Sequence, residues 1–115
     1  MKRFCLALDL VNDEKLIAEY EEYHKAVWHE ILKSIHDSGI IQMEIYRIEN
    51  RLFMIAETTD EFSFDRKAAM DTSNEKVQEW EELMWRYQSA LPSAAPGEKW
   101  LLMKKVFTTG NQGAP

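Results

Sequence analysis

Three histidines are the side chains of this chain best suited to move protons near neutral pH, and one of them lies in an apolar setting. Apolar and polar side chains recur over residues 14–36 with the period of one long amphipathic helix. On that helix His24 falls roughly 80° from Leu16, inside an apolar sector centred near roughly 60°. His29 and His36 fall on the polar side. The pattern therefore singles out His24 as the histidine with the least access to water.

The neighbours of His24 favour two different interpretations. Tyr20 lies one turn before it and Trp28 one turn after it, both within side-chain reach on a helix. A lone histidine on an apolar face is more often a core residue that hydrogen-bonds to a backbone carbonyl. A tyrosine hydroxyl and a flat tryptophan wall, however, are typical of a pocket for a polar small molecule. Position alone leaves both interpretations open.

A second predicted helix, residues 75–91, carries groups that suit a sugar. Tryptophan faces stack on the C–H faces of sugars, and carboxylates bind their hydroxyls. Trp80 and Met84 belong to the apolar stripe of this helix, where core packing is the ordinary explanation. Trp85 lies beside the stripe, one turn beyond Glu81, and packing explains it less well.

The chain lacks the sequence motifs of several common kinds of catalytic and metal site. Cys5 is the single cysteine, which excludes an internal disulfide and a cysteine-built metal site. His24 and His29 are five positions apart and point to different helix faces, which argues against a dihistidine metal site. The phosphate-binding loop, the nucleophile elbow and the zinc-protease motif are missing from the sequence. We expect no metal site.

Length, charge and hydropathy exclude further classes of function. The chain has 115 residues, enough for one domain with one core. Its net charge of −6 argues against nucleic acid and against an anionic membrane surface as partners. No apolar run is long enough to span a membrane, and the N-terminal segment becomes acidic too early for a signal peptide. These features predict a cytoplasmic protein.

The order of predicted elements indicates the fold. Good N-caps at Asn12 and Asp13, a capping segment at residues 71–74 and a helix stop at Ser38-Gly39 mark the helix boundaries. Asn50 can take a positive φ in a tight turn. The predicted strands are residues 3–10, 40–48, 52–58 and 99–107, and the predicted helices are residues 14–36, 61–70 and 75–91. Residues 109–115 are predicted to fray.

This order is typical of a ferredoxin-like α+β domain over residues 1–108, with a four-stranded antiparallel sheet and helices on one face. Aliphatic residues alternate on both faces of the predicted hairpin 40–58, so the second sheet face also needs a cover. A second copy of the chain is the simplest cover at this length. We therefore expect a homodimer, of the kind called a dimeric α/β barrel.

Four segments together resemble the L-rhamnose mutarotase family, especially its branch described as L-fucose mutarotase-like. They are AEYEEYHKAVWHEI, MEIYRIENRLFMI, VQEWEELMWRYQ and PGEKWLLMKKVF. The resemblance covers about residues 3–108, in order and with similar spacing. It implies a dimeric barrel without cofactor that interconverts the α and β anomers of a 6-deoxy-hexose such as L-rhamnose or L-fucose.

The resemblance also assigns roles to particular residues. It implies that His24 is the proton donor and that Tyr20 binds the sugar. The family carries a sugar-binding tyrosine in its second strand, where this chain has Met43, with Tyr46 three residues further on.

A second departure lies on the last helix. The rhamnose enzymes close the site with a Trp-Trp pair, where this chain has Trp80-Glu81 with Trp85 nearby. These departures bear on the identity of the sugar more than on the reaction.

Mutarotation requires a proton delivered to the ring oxygen and a proton taken from the anomeric hydroxyl. Each transfer by a positioned group accelerates the reaction by roughly 100- to 10,000-fold. His24 is the predicted acid, and Glu81, Tyr20 or a bound water remain candidates for the base.

Two other functions compete with the mutarotase. A cofactor-free monooxygenase on the same dimeric barrel would take up oxygen and oxidise an aromatic substrate. A non-catalytic sugar-binding module would bind a sugar without accelerating anomer exchange. Residue chemistry alone does not separate the three, and the family resemblance favours the mutarotase.

Overall fold

A computed structural model describes residues 1–111 and shows the predicted order of elements with changed boundaries. The strands are β1 (Lys2–Leu10), β2 (Ile40–Ile48), β3 (Arg51–Thr58), β4 (Gln88–Ser89) and β5 (Leu101–Leu102). The helices are α1 (Glu14–Tyr23), α2 (His29–Asp37), α3 (Phe64–Thr72) and α4 (Glu75–Trp85), and a 3₁₀ turn follows at Thr109–Asn111.

The prediction of one helix over residues 14–36 is wrong, because the chain leaves the helix between α1 and α2. The backbone N–H of His24 donates to the carbonyls of Tyr20 and Glu21, at 3.3 and 3.1 Å. The ring Nδ1 of His24 lies 2.8 Å from the same Tyr20 carbonyl. These bonds satisfy carbonyls at the helix end locally, so α1 ends without the glycine or proline that normally marks a stop in the sequence.

The predicted helix 75–91 also ends early, at Trp85. The N–H of Tyr87 donates to the carbonyl of Met84 at 2.9 Å, and the chain then enters β4. The apolar stripe nevertheless predicted burial correctly, since Trp80, Met84 and Tyr87 are all buried. Periodicity identified the inward side chains here but missed the change of backbone conformation.

The sheet is antiparallel throughout, and β1 lies inside it. β3 pairs along one edge of β1, while both β4 and β5 pair along the other. The sheet therefore has the four predicted strand positions, and β4 and β5 together occupy the fourth. The predicted strand 99–107 shrinks to β5, followed by one further bond from the N–H of Met103 to the carbonyl of Cys5 at 2.7 Å. Pro92 and Pro96, which lack a backbone N–H, lie in the loop between β4 and β5.

The helices cover one face of the sheet, as predicted. Alternate residues of β1 and β3 point toward them and are buried: Leu6, Leu8, Leu10, Leu52, Met54 and Ala56. One core cluster joins these strands to side chains from α1, α2 and α4. On the opposite face, Tyr46 and Ile48 of β2 remain 52% and 73% exposed. We call this opposite side the outer face; it also carries Phe53 and Ile55 of β3.

Of the predicted capping residues, Asp13 and Asn74 are the ones that cap their helices. The Asp13 carboxylate and the Asn74 amide oxygen accept N–H groups at the starts of α1 and α4, and Gly39 after α2 has φ +101°. In the hairpin turn Glu49, not Asn50, takes the positive φ. Asn50 instead donates its side-chain amide to the carbonyl of Leu10 at 3.1 Å, which ties the turn to β1.

No helix within residues 1–111 is long and apolar enough to cross a membrane. Of the tail predicted to fray, residues 109–111 form the 3₁₀ turn, and residues 112–115 lie outside the described part of the chain.

Candidate active site

A cavity of about 680 Å³ lies between the helices and the helix-facing side of the sheet. Side chains from α1, α2, β2 and α4 line it, together with the chain on either side of the β4–β5 loop. Most of its wall is apolar. The polar side chains around it are Tyr20, His24, Ser34, His36, Gln42, Lys67, Asp71, Glu81, Gln88 and Lys99.

His24 reaches the cavity from the C-cap of α1. Its ring lies 4.2 Å from the ring of Tyr20 and 5.7 Å from that of Trp80, measured between centroids. Because a carbonyl can only accept, the bond to the Tyr20 carbonyl places a proton on Nδ1. Nε2 is therefore the nitrogen left to exchange protons. Burial lowers the pKa of His24 below its usual value of 6.5, and the carbonyl bond partly offsets that effect.

Tyr20 contributes a hydroxyl that stays protonated. Burial is the main cause that raises its pKa to about 12; the negative charge of Glu81 adds to it, and a hydrogen bond from Gln88 acts in the opposite direction. At neutral pH this hydroxyl can donate a hydrogen bond but cannot serve as a base. Tyr20 is therefore removed from the three candidates for the base.

Glu81 faces the cavity as half of an ion pair. Nζ of Lys99 lies 2.5 Å from its Oε2 and also donates to its backbone carbonyl at 3.2 Å. The Lys99 side chain is only 11% exposed, while that of Glu81 is 41% exposed. Burial lowers the pKa of Lys99, and the Glu81 carboxylate raises it in part. The lysine, which also lines the cavity, thus holds the Glu81 carboxylate in place and leaves part of it exposed.

Five of the seven predicted site residues line this one cavity: Tyr20, His24, Met43, Trp80 and Glu81. Trp80 is a core residue as well as a cavity residue. It is 7% exposed and packs edge-on against Trp28 with ring centroids 5.1 Å apart. Trp28 itself lies behind this wall, because the break after α1 changes the direction of the chain. It does not form the cavity wall that its helical spacing predicted.

Two predicted contacts lie elsewhere. Tyr46 is on the outer face, where its hydroxyl donates to Oε2 of Glu44 at 3.0 Å. Strand side chains alternate, so a residue three positions from the cavity-lining Met43 points to the opposite face. Trp85 stands outside the cavity, with its ring centroid 4.8 Å from Nζ of Lys99. Within one chain, Tyr46 and Trp85 do not line this cavity, and their contact with the sugar stays a prediction.

Sequence reasoning missed several cavity residues, among them Gln88, Lys99 and Trp100. Gln88 was assigned to a helix that ends before it. Lys99 and Trp100 were placed in a strand and considered for packing alone. Only the segment PGEKW, which belongs to the family resemblance, pointed toward this part of the chain.

The fold and the cavity define a class of protein. A histidine, a protonated phenol and a carboxylate surround one cavity of a ferredoxin-like α+β domain, which suits acid–base chemistry on a small polar molecule. Within residues 1–111, no group of three or more histidine, cysteine, aspartate or glutamate side chains could hold a metal ion.

The chain belongs to the L-rhamnose mutarotase family, whose sequence model matches residues 3–109. It is 43% identical over 109 residues to the L-fucose mutarotase of Xanthomonas campestris, an alignment that covers 93% of this chain and 87% of that protein. The prediction of an isomerase, a mutarotase of the L-rhamnose and L-fucose type, is thereby confirmed.

Solved structures agree on the fold. The L-rhamnose mutarotase FA22100 of Formosa agariphila superimposes with a TM-score of 0.70 at 20% identity, covering 94% of this chain and 98% of that one. The tetracenomycin F2 cyclase of Streptomyces glaucescens, a type-II polyketide cyclase, gives a TM-score of 0.57 at 14% identity with full coverage of both chains. At these identities the likeness concerns the fold alone, and the predicted fold class is confirmed.

Proposed function

We propose that this protein interconverts the α and β anomers of L-fucose by acid–base ring opening in the cavity. The observation that carries the proposal is the convergence of His24, Tyr20 and Glu81 on one cavity of a mutarotase-family chain. The identity to the Xanthomonas protein supports L-fucose over L-rhamnose. Met43 and Glu81 support it too, since they stand where the resemblance places a tyrosine and a tryptophan in rhamnose enzymes.

Ring opening divides between two side chains. His24, as the imidazolium, donates its Nε2 proton to the ring oxygen, while the Glu81 carboxylate takes the proton of the anomeric hydroxyl. The bond between the anomeric carbon and the ring oxygen breaks and leaves a neutral aldehyde. After rotation about the adjacent carbon–carbon bond, both protons return by the reverse path and the ring closes as the other anomer. Each positioned transfer contributes roughly 100- to 10,000-fold.

The rest of the cavity suits a 6-deoxy-hexose. The hydroxyl of Tyr20 can donate to the sugar, and the ring of Trp80 offers a face for its C–H groups. Met43, Ile45 and Met54 provide apolar wall, which favours a methyl group at carbon 6 over a hydroxymethyl group. The cavity therefore supports selection for the deoxy sugar as well as catalysis.

A sugar panel tests this proposal. Saturation-transfer NMR should show faster anomer exchange for L-fucose than for L-rhamnose or for L-galactose, which differs from L-fucose only by a hydroxyl at carbon 6. Faster exchange of L-rhamnose would move the substrate assignment to that sugar. Equal rates for L-galactose and L-fucose would contradict recognition of the methyl group.

The rate should fall as pH rises. His24 must carry a proton to donate it, and its pKa lies below 6.5, so the active form becomes scarcer by about tenfold per pH unit above that pKa. After subtraction of the protein-free rate, kcat/KM for L-fucose should therefore increase as pH is lowered from about 8 to about 6. An increase with rising pH over the same range would show that His24 accepts rather than donates the proton.

We propose further that two copies associate through the outer face. Tyr46 and Ile48 are exposed there beside the half-buried Phe53 and Ile55, and the chain after β5 exposes Val106 and Phe107, 88% and 64%. Exposed apolar side chains that cluster on one face are typical of a surface that another protein chain covers.

Sedimentation tests the assembly. The protein should sediment as a dimer at micromolar concentration, and Phe53→Asp, which places a charge at the centre of the outer face, should shift it to monomer. A monomeric parent protein would contradict the proposed assembly.

The proposal includes two further expectations. Residues 1–108 act as one mutarotase domain followed by a short tail, and the protein works in the cytoplasm. Limited proteolysis should remove the tail and leave anomer exchange intact, and cell fractionation would locate the protein.

A further inference from the structure

Gln88 has a buried side-chain hydrogen-bond acceptor that no group of the described chain pairs with. Its Oε1 is buried without a hydrogen-bond partner, the only such side-chain atom within residues 1–111. The residue is 7% exposed and lines the cavity. A buried acceptor left unpaired is unfavourable, so each such atom in a native structure needs an explanation. A hydroxyl group of a bound ligand would supply the missing donor.

The backbone holds Gln88 firmly at this position. It belongs to β4, where it stands opposite Leu10 of β1 in antiparallel register. Its side chain lies close enough to the Tyr20 hydroxyl to lower the pKa of the phenol, against the larger effect of burial. Oε1 of Gln88 has no hydrogen-bond partner, so it is the end of the amide that is left to pair with a ligand.

Tyr20 and Gln88 thus present a donor and an acceptor side by side. The Tyr20 hydroxyl keeps its proton at neutral pH, because its pKa is raised to about 12, and can donate it to a ligand. Next to it, Oε1 of Gln88 can only accept. This arrangement matches one ring hydroxyl that both accepts and donates, or two neighbouring ring hydroxyls, and it matches no apolar group.

We propose that Oε1 of Gln88 accepts a hydrogen bond from a ring hydroxyl of the hexose and so helps to determine which sugars bind. The inference rests on the proposed function for the class of ligand, a monosaccharide. It adds a specificity-determining residue that takes no part in the proton transfers. A site built to pair with a substrate hydroxyl rejects the analogue that lacks it, because the buried group is then left unpaired.

Binding of L-fucose and its 2-, 3- and 4-deoxy analogues to the parent protein and to Gln88→Leu tests the inference. By NMR titration, the parent should bind one analogue at least about tenfold more weakly than L-fucose. Gln88→Leu should bind L-fucose about tenfold more weakly than the parent and no longer distinguish it from that analogue. Its melting temperature should stay equal or rise, because leucine removes the unpaired buried atom.

Ser38→Ala is the matched control. Ser38 is also buried, but its hydroxyl donates to the carbonyl of Ile35 at 2.6 Å and does not line the cavity. Its loss should lower the melting temperature and leave sugar binding unchanged. A general loosening of the fold would instead weaken binding in both variants, and equal weakening would overturn the proposal.

Two results besides that one would overturn the role of Gln88. One is parent-like binding of all four sugars by Gln88→Leu. The other, which needs no variant, is a parent protein that binds every deoxy analogue as tightly as L-fucose. Binding without faster anomer exchange would contradict the proposed function and leave the role of Gln88 standing, so the two failures are distinguishable.

Discussion

His24→Gln should slow the anomer exchange of L-fucose by roughly 100-fold or more while the protein stays folded and still binds the sugar. Glutamine preserves the size and a polar end but cannot release a proton near neutral pH. The change therefore removes the proton transfer to the ring oxygen and leaves the walls of the cavity, including Trp80, in place. Exchange rates per folded molecule, measured by saturation-transfer NMR, check this result.

His29→Gln is the control for this variant. His29 is exposed at the start of α2 and does not line the cavity, so its loss should change neither rate nor stability. If His24 were only a packed core histidine, His24→Gln would lower the free energy of unfolding by about 1–3 kcal/mol and leave catalysis intact. Folded His24→Gln that exchanges anomers at the parent rate would contradict the assigned role.

Glu81→Gln should also lower kcat for anomer exchange by about 100-fold, because the amide cannot accept the proton of the anomeric hydroxyl. It should cost stability too, by roughly 1 kcal/mol, since Lys99 loses its ionic partner and the pair is partly open to solvent. Glu82→Gln, an exposed neighbour on α4, serves as the control and should alter neither quantity. Rates and thermal unfolding would be measured on the same preparations.

One alternative to Glu81 remains for the group that takes the proton of the anomeric hydroxyl. Tyr20 cannot act as the base at neutral pH, because its pKa is raised to about 12. A bound water is therefore the remaining alternative to Glu81. Glu81→Gln with the parent kcat would assign the role to water and reduce Glu81 to an ion-pair partner of Lys99.

Local sequence patterns were sufficient to predict the elements whose signals lie within a few residues of one another. The alternation in β1 and in the hairpin, the cap at Asp13 and the glycine at Gly39 all depend on neighbouring side chains and backbone angles. His24 was placed correctly because α1 runs helically up to Tyr23, which preserves its phase on the wheel. Trp28 lies beyond the end of α1, where the chain is no longer helical, so the wheel placed it wrongly.

The remaining errors have physical causes of a different kind. Gln88 enters the cavity because α4 ends at Trp85 and the next residues pair with β1, more than 70 positions earlier in the chain. No local pattern in the sequence records such a pairing. Tyr46, by contrast, was predictable, because strand geometry alone sends it to the face opposite Met43.

Exchange of magnetisation between the two anomers of L-fucose, with and without the protein, tests the central claim most directly. On irradiation of the α-anomer proton, the exchange rate obtained from the fall of the β-anomer signal should rise in proportion to protein concentration. His24→Gln should reduce that rise by roughly 100-fold or more. An exchange rate equal to that of the protein-free solution at every protein concentration would contradict the claim that this cavity catalyses mutarotation of L-fucose.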